Sequence, residues 1–255
     1  MTPTLAWIVI AAPLSGLVAL GLALLFLKSR IWTHDRSHLF ISFAAGTLLS
    51  VAFLDLLPEA FEAFEEAEGA AGHGVAPLIV LAGFLLFFTI EKLILWYHCH
   101  EEKCDVHRSP SMILIGDTLH NFLDGVAIAV AFSISVPVGI ATTVAVFFHE
   151  VPQEVADFSV LLSMLKTKVA LMLNSLSALS SLVGALFAYY FASAVEGAAP
   201  YLIAVTAGGF IYISASDLIP EIHKETRRSQ MWRQFLFFMA GFLAILFING
   251  FGNGH

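Results

Sequence analysis

The chain is organised as eight long apolar runs, near residues 5–27, 38–61, 77–97, 111–134, 138–164, 168–193, 200–223 and 233–251, separated by short polar connections. A membrane-crossing helix needs roughly 20 apolar residues to carry its backbone hydrogen bonds through the hydrocarbon layer. Each run is long enough. The pattern predicts an all-α polytopic membrane protein of eight transmembrane helices, one membrane domain over residues 1–255 with no separate soluble module. The basic residues of the first run, Lys28 and Arg30, follow the apolar stretch, and no A-x-A-like cleavage site comes after it. That run is therefore expected to be a retained helix and not a cleaved signal.

The twelve Lys and Arg residues test the helix count. Lys28, Arg30 and Arg36 follow run 1. Lys92, Lys103 and Arg108 belong to the connection after run 3 and its flanks. Lys166 and Lys168 follow run 5, and Lys224, Arg227, Arg228 and Arg233 follow run 7. All twelve fall on one side of an eight-helix arrangement. The positive-inside rule makes that side the cytoplasm and puts both termini outside, in a cell (inner) membrane. Composition agrees with lipid as the solvent, since 58% of residues are hydrophobic and 13% are charged. The formal charge of −8 favours cationic partners over nucleic acid. The outer stretch "EEAEGAAGHG" after run 2 reads as a solvated loop or as a weak collector of cations.

The second and seventh runs repeat one another. "AGTLLSVAFLDLLPE" at 45–59 matches "AGGFIYISASDLIPE" at 207–221, with a constant offset of 162 that pairs Asp55 with Asp217 and Glu59 with Glu221. The two runs point in opposite directions through the membrane, so the repeat is inverted. Helices 1–3 then correspond to helices 6–8 around a central pair, a 3+2+3 architecture with a site expected at the repeat interface. The alternative is a D-L-x-P-E helix-end signal used twice. The four carboxylates fit the entrance and exit of a path, and equally fit interfacial positions at helix ends.

The polar residues concentrate in two places. Helix 4 holds "GDTLHNFLDG", where Asp117, His120, Asn121 and Asp124 follow i, i+3, i+4, i+7 spacing and form one stripe. Helix 5 holds "HEVPQEVAD", with His149, Glu150, Gln153, Glu154 and Asp157. Both motifs lie near the middle of their runs. A charge at that depth costs at least about 2.5–3.5 kcal/mol, so the two helices must turn these groups toward each other or toward water. A divalent cation would offset the repulsion among the carboxylates. Imidazole with carboxylate and amide oxygen suits Zn²⁺, Fe²⁺ or Mn²⁺. Pro152 cannot donate to the carbonyl of Phe148 and is expected to kink helix 5 beside the cluster. On helix 6, Asn174 and Ser177 read first as helix-packing contacts, and Asn174 could complete a coordination sphere.

"HNFLDG" and "HEVPQE" together resemble the paired signatures of the ZIP (Zrt/Irt-like) metal transporters, especially a prokaryotic branch, and the resemblance covers the whole chain. It implies a carrier of divalent transition metals into the cytoplasm, Zn²⁺ first and also Fe²⁺, Mn²⁺ or Cd²⁺, through a binuclear midplane site. It implies one position made by His120, Asp124, His149 and Glu150, and a second made by Asn121, Asp124, Glu150, Gln153 and Asn174. Asp117, Glu154, Asp157, Ser177, Asp55, Glu59, Asp217 and Glu221 would support the site or line the path. Many relatives have His where this chain has Gln153, and Gly is common where it has Ala156.

The connection between helices 3 and 4, "WYHCHEEKCDVHR", gathers His98, Cys99, His100, Cys104 and His107. In a reducing cytoplasm its two cysteines are not expected to form a disulfide, and C-x₄-C flanked by His is either a metal-handling loop or a polar loop with incidental ligands. The expected partners are divalent metal ions as transported substrate and the lipid bilayer, with a homodimer as the one protein assembly considered. No catalytic cofactor is expected. Two other classes stand beside the transporter. One is an intramembrane metal-dependent hydrolase, against which position 153 is Gln, so H-E-x-x-H is not complete. The other is a channel or structural membrane protein.

Overall fold

The computed structural model describes residues 2–29, 33–69, 72–96, 110–195 and 197–252, and these are helical almost throughout. The eight expected helices are present. α1 is Pro3–Ser29, and α2 runs from His34–Ser50 through a π-helical segment, Val51–Leu56, into Leu57–Glu68. α3 is Gly72–Trp96, α4 is Pro110–Ile134 and α5 is Val136–Met164. α6 consists of Thr167–Ala178 and Ser180–Ala194, interrupted at Leu179. α7 passes from Ala198–Ile213 through a π-helical Ser214–Leu218 into Ile219–His223, and α8 is Arg228–Gly252. Among the described residues, seven of these are both long and apolar enough to cross a membrane. α5, at 29 residues, has the length, and its polar cluster is what separates it from the other seven. The segment carrying His98, Cys99, His100, Cys104 and His107 lies outside the described residues.

The repeat seen in the sequence is built into the backbone. Leu57 N–H donates to the Ala52 carbonyl and Ile219 N–H to the Ser214 carbonyl, each five residues back and each related to the other by the offset of 162. The cause is local. Pro58 and Pro220 lack an N–H, and the helix upstream widens by one residue before it resumes. Asp55 and Asp217 sit within these two widened turns.

Packing follows the same symmetry. α1, α4, α5 and α6 form one group, and α2, α3, α7 and α8 form the other. α2 crosses α8 where α7 crosses α3. A Cβ on Gly46 of α2 would lie 2.1 Å from the Phe238 carbonyl oxygen, and a Cβ on Gly208 of α7 would lie 2.0 Å from that of Val80. These contacts map onto each other when α2 is shifted onto α7 and α3 onto α8. The helices cross on backbone, which is how membrane helices gain close van der Waals contact without a hydrophobic driving force. The groups meet chiefly where α5 packs on α2 and α8 and where α4 meets α7.

One polar clamp ties the predicted cytoplasmic ends together. Arg227, between α7 and α8, pairs with Asp35 at the start of α2, and Gln230 Nε2 donates to Asp35 Oδ2 at 2.8 Å. Two connections that the basic-residue count assigned to one side are thus in contact. Arg227 also holds Glu225: its side chain and backbone N–H donate to that carboxyl and pull it down to about 2.

Candidate metal site

α5 begins at a capped turn: Ser135 Oγ accepts from Val138 N–H at 3.3 Å, and Pro137 occupies the first turn, where its missing N–H costs nothing. The helix then runs without a break through Pro152. α4 packs against it and is drawn onto α6 by a reciprocal pair of close approaches. A Cβ on Gly125 would meet the Ser181 carbonyl oxygen at 1.8 Å, and one on Gly184 would meet that of Phe122 at 1.9 Å. These contacts bring the polar stripes of α4, α5 and α6 together inside the protein.

Two groups of ligand atoms result, and they share Glu150. In the first, the Nε2 atoms of His120 and His149 are 3.0 Å apart. His149 Nε2 is 3.2 Å from Asp124 Oδ2 and 3.7 Å from Glu150 Oε1, and His120 Nε2 is 3.6 Å and 3.4 Å from the same two oxygens. Two ligands about 2.0–2.2 Å from one tetrahedral ion are about 3.4 Å from each other. The five separations scatter around that value. His149 Nδ1 lies 3.3 Å from the Ala145 carbonyl. A proton held there leaves the Nε2 lone pair directed at the cluster, the arrangement by which metal-ligating imidazoles are oriented. Glu150 is 0% exposed, and Asp124 and His149 are each 3% exposed.

The second group is Asp117, Glu150 and Glu154, all buried, with one oxygen of each within 4.8 Å of the others. Amides brace it from both sides. Asn121 Nδ2 donates to Asp117 Oδ1 at 2.9 Å and to the Asp117 carbonyl at 3.0 Å, and Asn174 Nδ2 donates to Glu154 Oε2. Thr118 and Ser177 hydroxyls meet at 2.9 Å beside it. Several buried oxygens receive no well-formed hydrogen bond: Asp117 Oδ2, Asp124 Oδ2, both oxygens of Glu150 and Glu154 Oε1. Buried carboxylates left in this condition are costly unless a cation compensates them. Two imidazoles and two carboxylates form a donor set suited to Zn²⁺, Fe²⁺ or Mn²⁺, and the second group, all oxygen, suits harder ions.

His120, Asp124, His149 and Glu150 converge as one set. Asn121 and Asn174 reach the second group through their amide nitrogens, while Asp117 and Glu154, read from sequence as supporting residues, supply its carboxylates. Gln153 is half-buried one residue before Glu154, and Asp157 is half-buried one turn beyond. Asp55 accepts from Asn249 Nδ2 of α8 at 2.5 Å. Glu221 pairs with Lys224 and faces His38, and Glu59 is half-buried in the C-terminal segment of α2. Asp217 lies near Glu91 of α3, which accepts from the Tyr212 hydroxyl. Neither Asn249 nor Glu91 stood out in the sequence. They occupy equivalent positions of α8 and α3, offset by 158, so extending the repeat to those helices would have found both.

Comparisons with known proteins point to one family. A family model described as ZIP Zinc transporter matches residues 4–112 and 99–249. Zinc transporter ZIP13 of Pongo abelii is 34% identical over 221 residues, covering 83% of this chain and 66% of that protein. Zinc transporter ZIP13 of Mus musculus is 30% identical over 260 residues, covering 85% of this chain and 71% of that protein. Zinc transporter ZIP4 of Mus musculus is 30% identical over 278 residues, covering 83% of this chain and 42% of that longer protein.

Proposed function

The chain belongs to the ZIP zinc transporter family, and on that premise we propose that it carries divalent transition-metal cations, Zn²⁺ first, through the membrane into the cytoplasm. The observation that carries this reading is the convergence of His120, Asp124, His149 and Glu150 on one point, with buried carboxylate oxygens that receive no well-formed hydrogen bond. Relatives named as zinc transporters support a carrier over an intramembrane hydrolase.

The two ligand groups suggest how an ion moves. Asp117 precedes His120 by one turn on α4, and Glu154 follows Glu150 by one turn on α5. With the helices antiparallel, both lie on the same side of the first group, the cytoplasmic side in the topology set by the basic residues. An ion leaving the imidazoles keeps Glu150 as a ligand while it gains Asp117 and Glu154. It is never without a carboxylate in a medium where a bare charge is expensive. The two amides, Asn121 and Asn174, hold those carboxylates in place. The His/Cys-rich segment 98–108 would receive the ion at the cytoplasmic face.

Topology is open to direct test. Cysteines introduced at Gly74 and Gly250, where a Cβ meets nothing within 4 Å, should both react with an impermeant reagent in intact cells. Reaction of either only after permeabilisation would reverse the assignment. Selectivity is testable at Gln153, which offers a neutral oxygen where many relatives offer imidazole nitrogen. Gln153→His should raise the preference for Zn²⁺ over Mn²⁺ by about tenfold, the order expected when a nitrogen ligand replaces an oxygen. Uptake of labelled Zn²⁺ against unlabelled Mn²⁺ in both proteins measures this. An unchanged ratio removes Gln153 from the ion's path.

A further inference from the structure

At the opposite end of α2 from Glu59, and away from both ligand groups, His38 is 3% exposed and presents its two ring nitrogens to two other helices. Nδ1 lies 3.0 Å from the side-chain amide nitrogen of Gln234 on α8, a residue that is itself 3% exposed. Nε2 lies 3.6 Å from Oε1 of Glu221 on α7. The other Glu221 oxygen is taken by the ammonium of Lys224, which is 68% exposed. Glu221 follows Asp217 by four residues, so the two carboxylates are near neighbours on α7. Asp217, Glu221 and His38 therefore bring three ligand-type groups to the packing of α7 on α2.

We propose that His38 and Glu221 form a weak divalent-cation site at the cytoplasmic end of the path, with Gln234 as its positioning residue and Lys224 as the resident cation that an arriving ion displaces. The inference rests on the transport reading above. Its geometric ground is the 3.6 Å separation, close to the ~3.4 Å expected between an imidazole nitrogen and a carboxylate oxygen on one ion. A metal on Nε2 needs the ring proton on Nδ1. A half-turn of the Gln234 amide puts its oxygen there to accept that proton, as carbonyl groups do behind metal-bound imidazoles. Two protein ligands completed by water make a shallow site. Shallow is what a final stop requires, because an ion held there tightly would not leave. Lys224 makes it shallower still, since its charge must move away before Glu221 can bind with both oxygens free.

A binding measurement separates this from a simple strut between α2 and α7. The probe is Cd²⁺, titrated into the purified full chain and followed by ¹¹³Cd resonance and by calorimetry. The titration is made in wild type and in a background carrying Asp124→Asn and Glu150→Gln, which removes the central groups, with Cys99→Ser and Cys104→Ser in every protein so that the segment 98–108 offers Cd²⁺ no thiolate. The background should retain one weakly bound ion. Adding His38→Gln, which keeps an amide-sized polar group beside Gln234, should weaken that ion at least tenfold. Adding His38→Cys should retain it with a resonance shifted toward sulfur coordination. Adding Lys224→Gln, whose exposed side chain contacts the site only at Glu221, should tighten it several-fold. No residual ion in the background, or a residual ion indifferent to His38→Gln or to Lys224→Gln, overturns the inference. If His38→Gln does not yield folded protein, the Lys224→Gln affinity decides alone. Failure of the transport reading looks different: wild type and the central double variant would then bind Cd²⁺ alike.

Discussion

Asp124→Ala and Glu150→Ala should each reduce metal uptake by at least about a hundredfold while the protein still reaches the membrane in folded form. Glu150 belongs to both ligand groups, and Asp124 Oδ2 is the carboxylate oxygen nearest His149. Removing either takes away a charged ligand and leaves imidazoles and carboxylates arranged around nothing that matches them, and a loss of about 3 kcal/mol or more is typical when one member of a buried charged set is deleted. That corresponds to more than two powers of ten. Glu154→Gln should cost less, about tenfold, because it retains a donor-acceptor group beside Asn174 and leaves the first group intact. Uptake of labelled Zn²⁺ in cells, normalised to membrane-extracted protein that elutes as a single species, reads all three. Full uptake by Glu150→Ala would remove the cluster from the path.

The second large effect is structural and concerns the repeat. Gly208→Ala and Gly46→Ala should both be severely destabilised, to a similar degree, because each new methyl would stand about 2 Å from a backbone carbonyl oxygen of a neighbouring helix. A backbone oxygen cannot swing aside as a side-chain tip can. The helices must separate, at a cost of roughly 3 kcal/mol or more where ordinary overpacking costs 1–3. Gly21→Ala, in α1 and with nothing within 4 Å, is the control and should melt like the wild type. Thermal denaturation in detergent, followed by the fraction of monodisperse protein, measures the three side by side. If Gly46→Ala melts normally and Gly208→Ala does not, the two crossings are not equivalent and the symmetry is only superficial.

Much of this was legible in the sequence because lipid simplifies the code. Apolar length alone set the eight helices, and the one-sided distribution of Lys and Arg grouped the connections, two of which the Arg227–Asp35 contact joins. The first ligand group was legible because i, i+3, i+4 and i+7 spacing on α4 leaves no doubt about which residues share a face. The second group was less so. Spacing places Asn121 and Asp117 on the same stripe but does not say which of them turns an oxygen inward, and in the structure Asn121 spends its amide on Asp117. Asn174 likewise donates to Glu154, a contact that depends on how closely Gly125 and Gly184 let α6 approach α4. The π-helical turns at Asp55 and Asp217 left a trace in Pro58 and Pro220, but a proline alone does not distinguish a kink from a widened turn. His38 and Gln234 gave no signal at all, since each is a single polar residue whose partner comes from a distant helix.

The central claim is that this chain alone moves Zn²⁺ through the cluster of His120, Asp124, His149 and Glu150. The most direct measurement is Zn²⁺ entry into liposomes containing only the purified protein, read by an indicator trapped in the lumen, for wild type, Glu150→Gln and protein-free vesicles. Saturable entry in wild type, with Glu150→Gln indistinguishable from protein-free vesicles, is the predicted result. Entry in wild type no faster than in protein-free vesicles, or equal entry in wild type and Glu150→Gln, would contradict it.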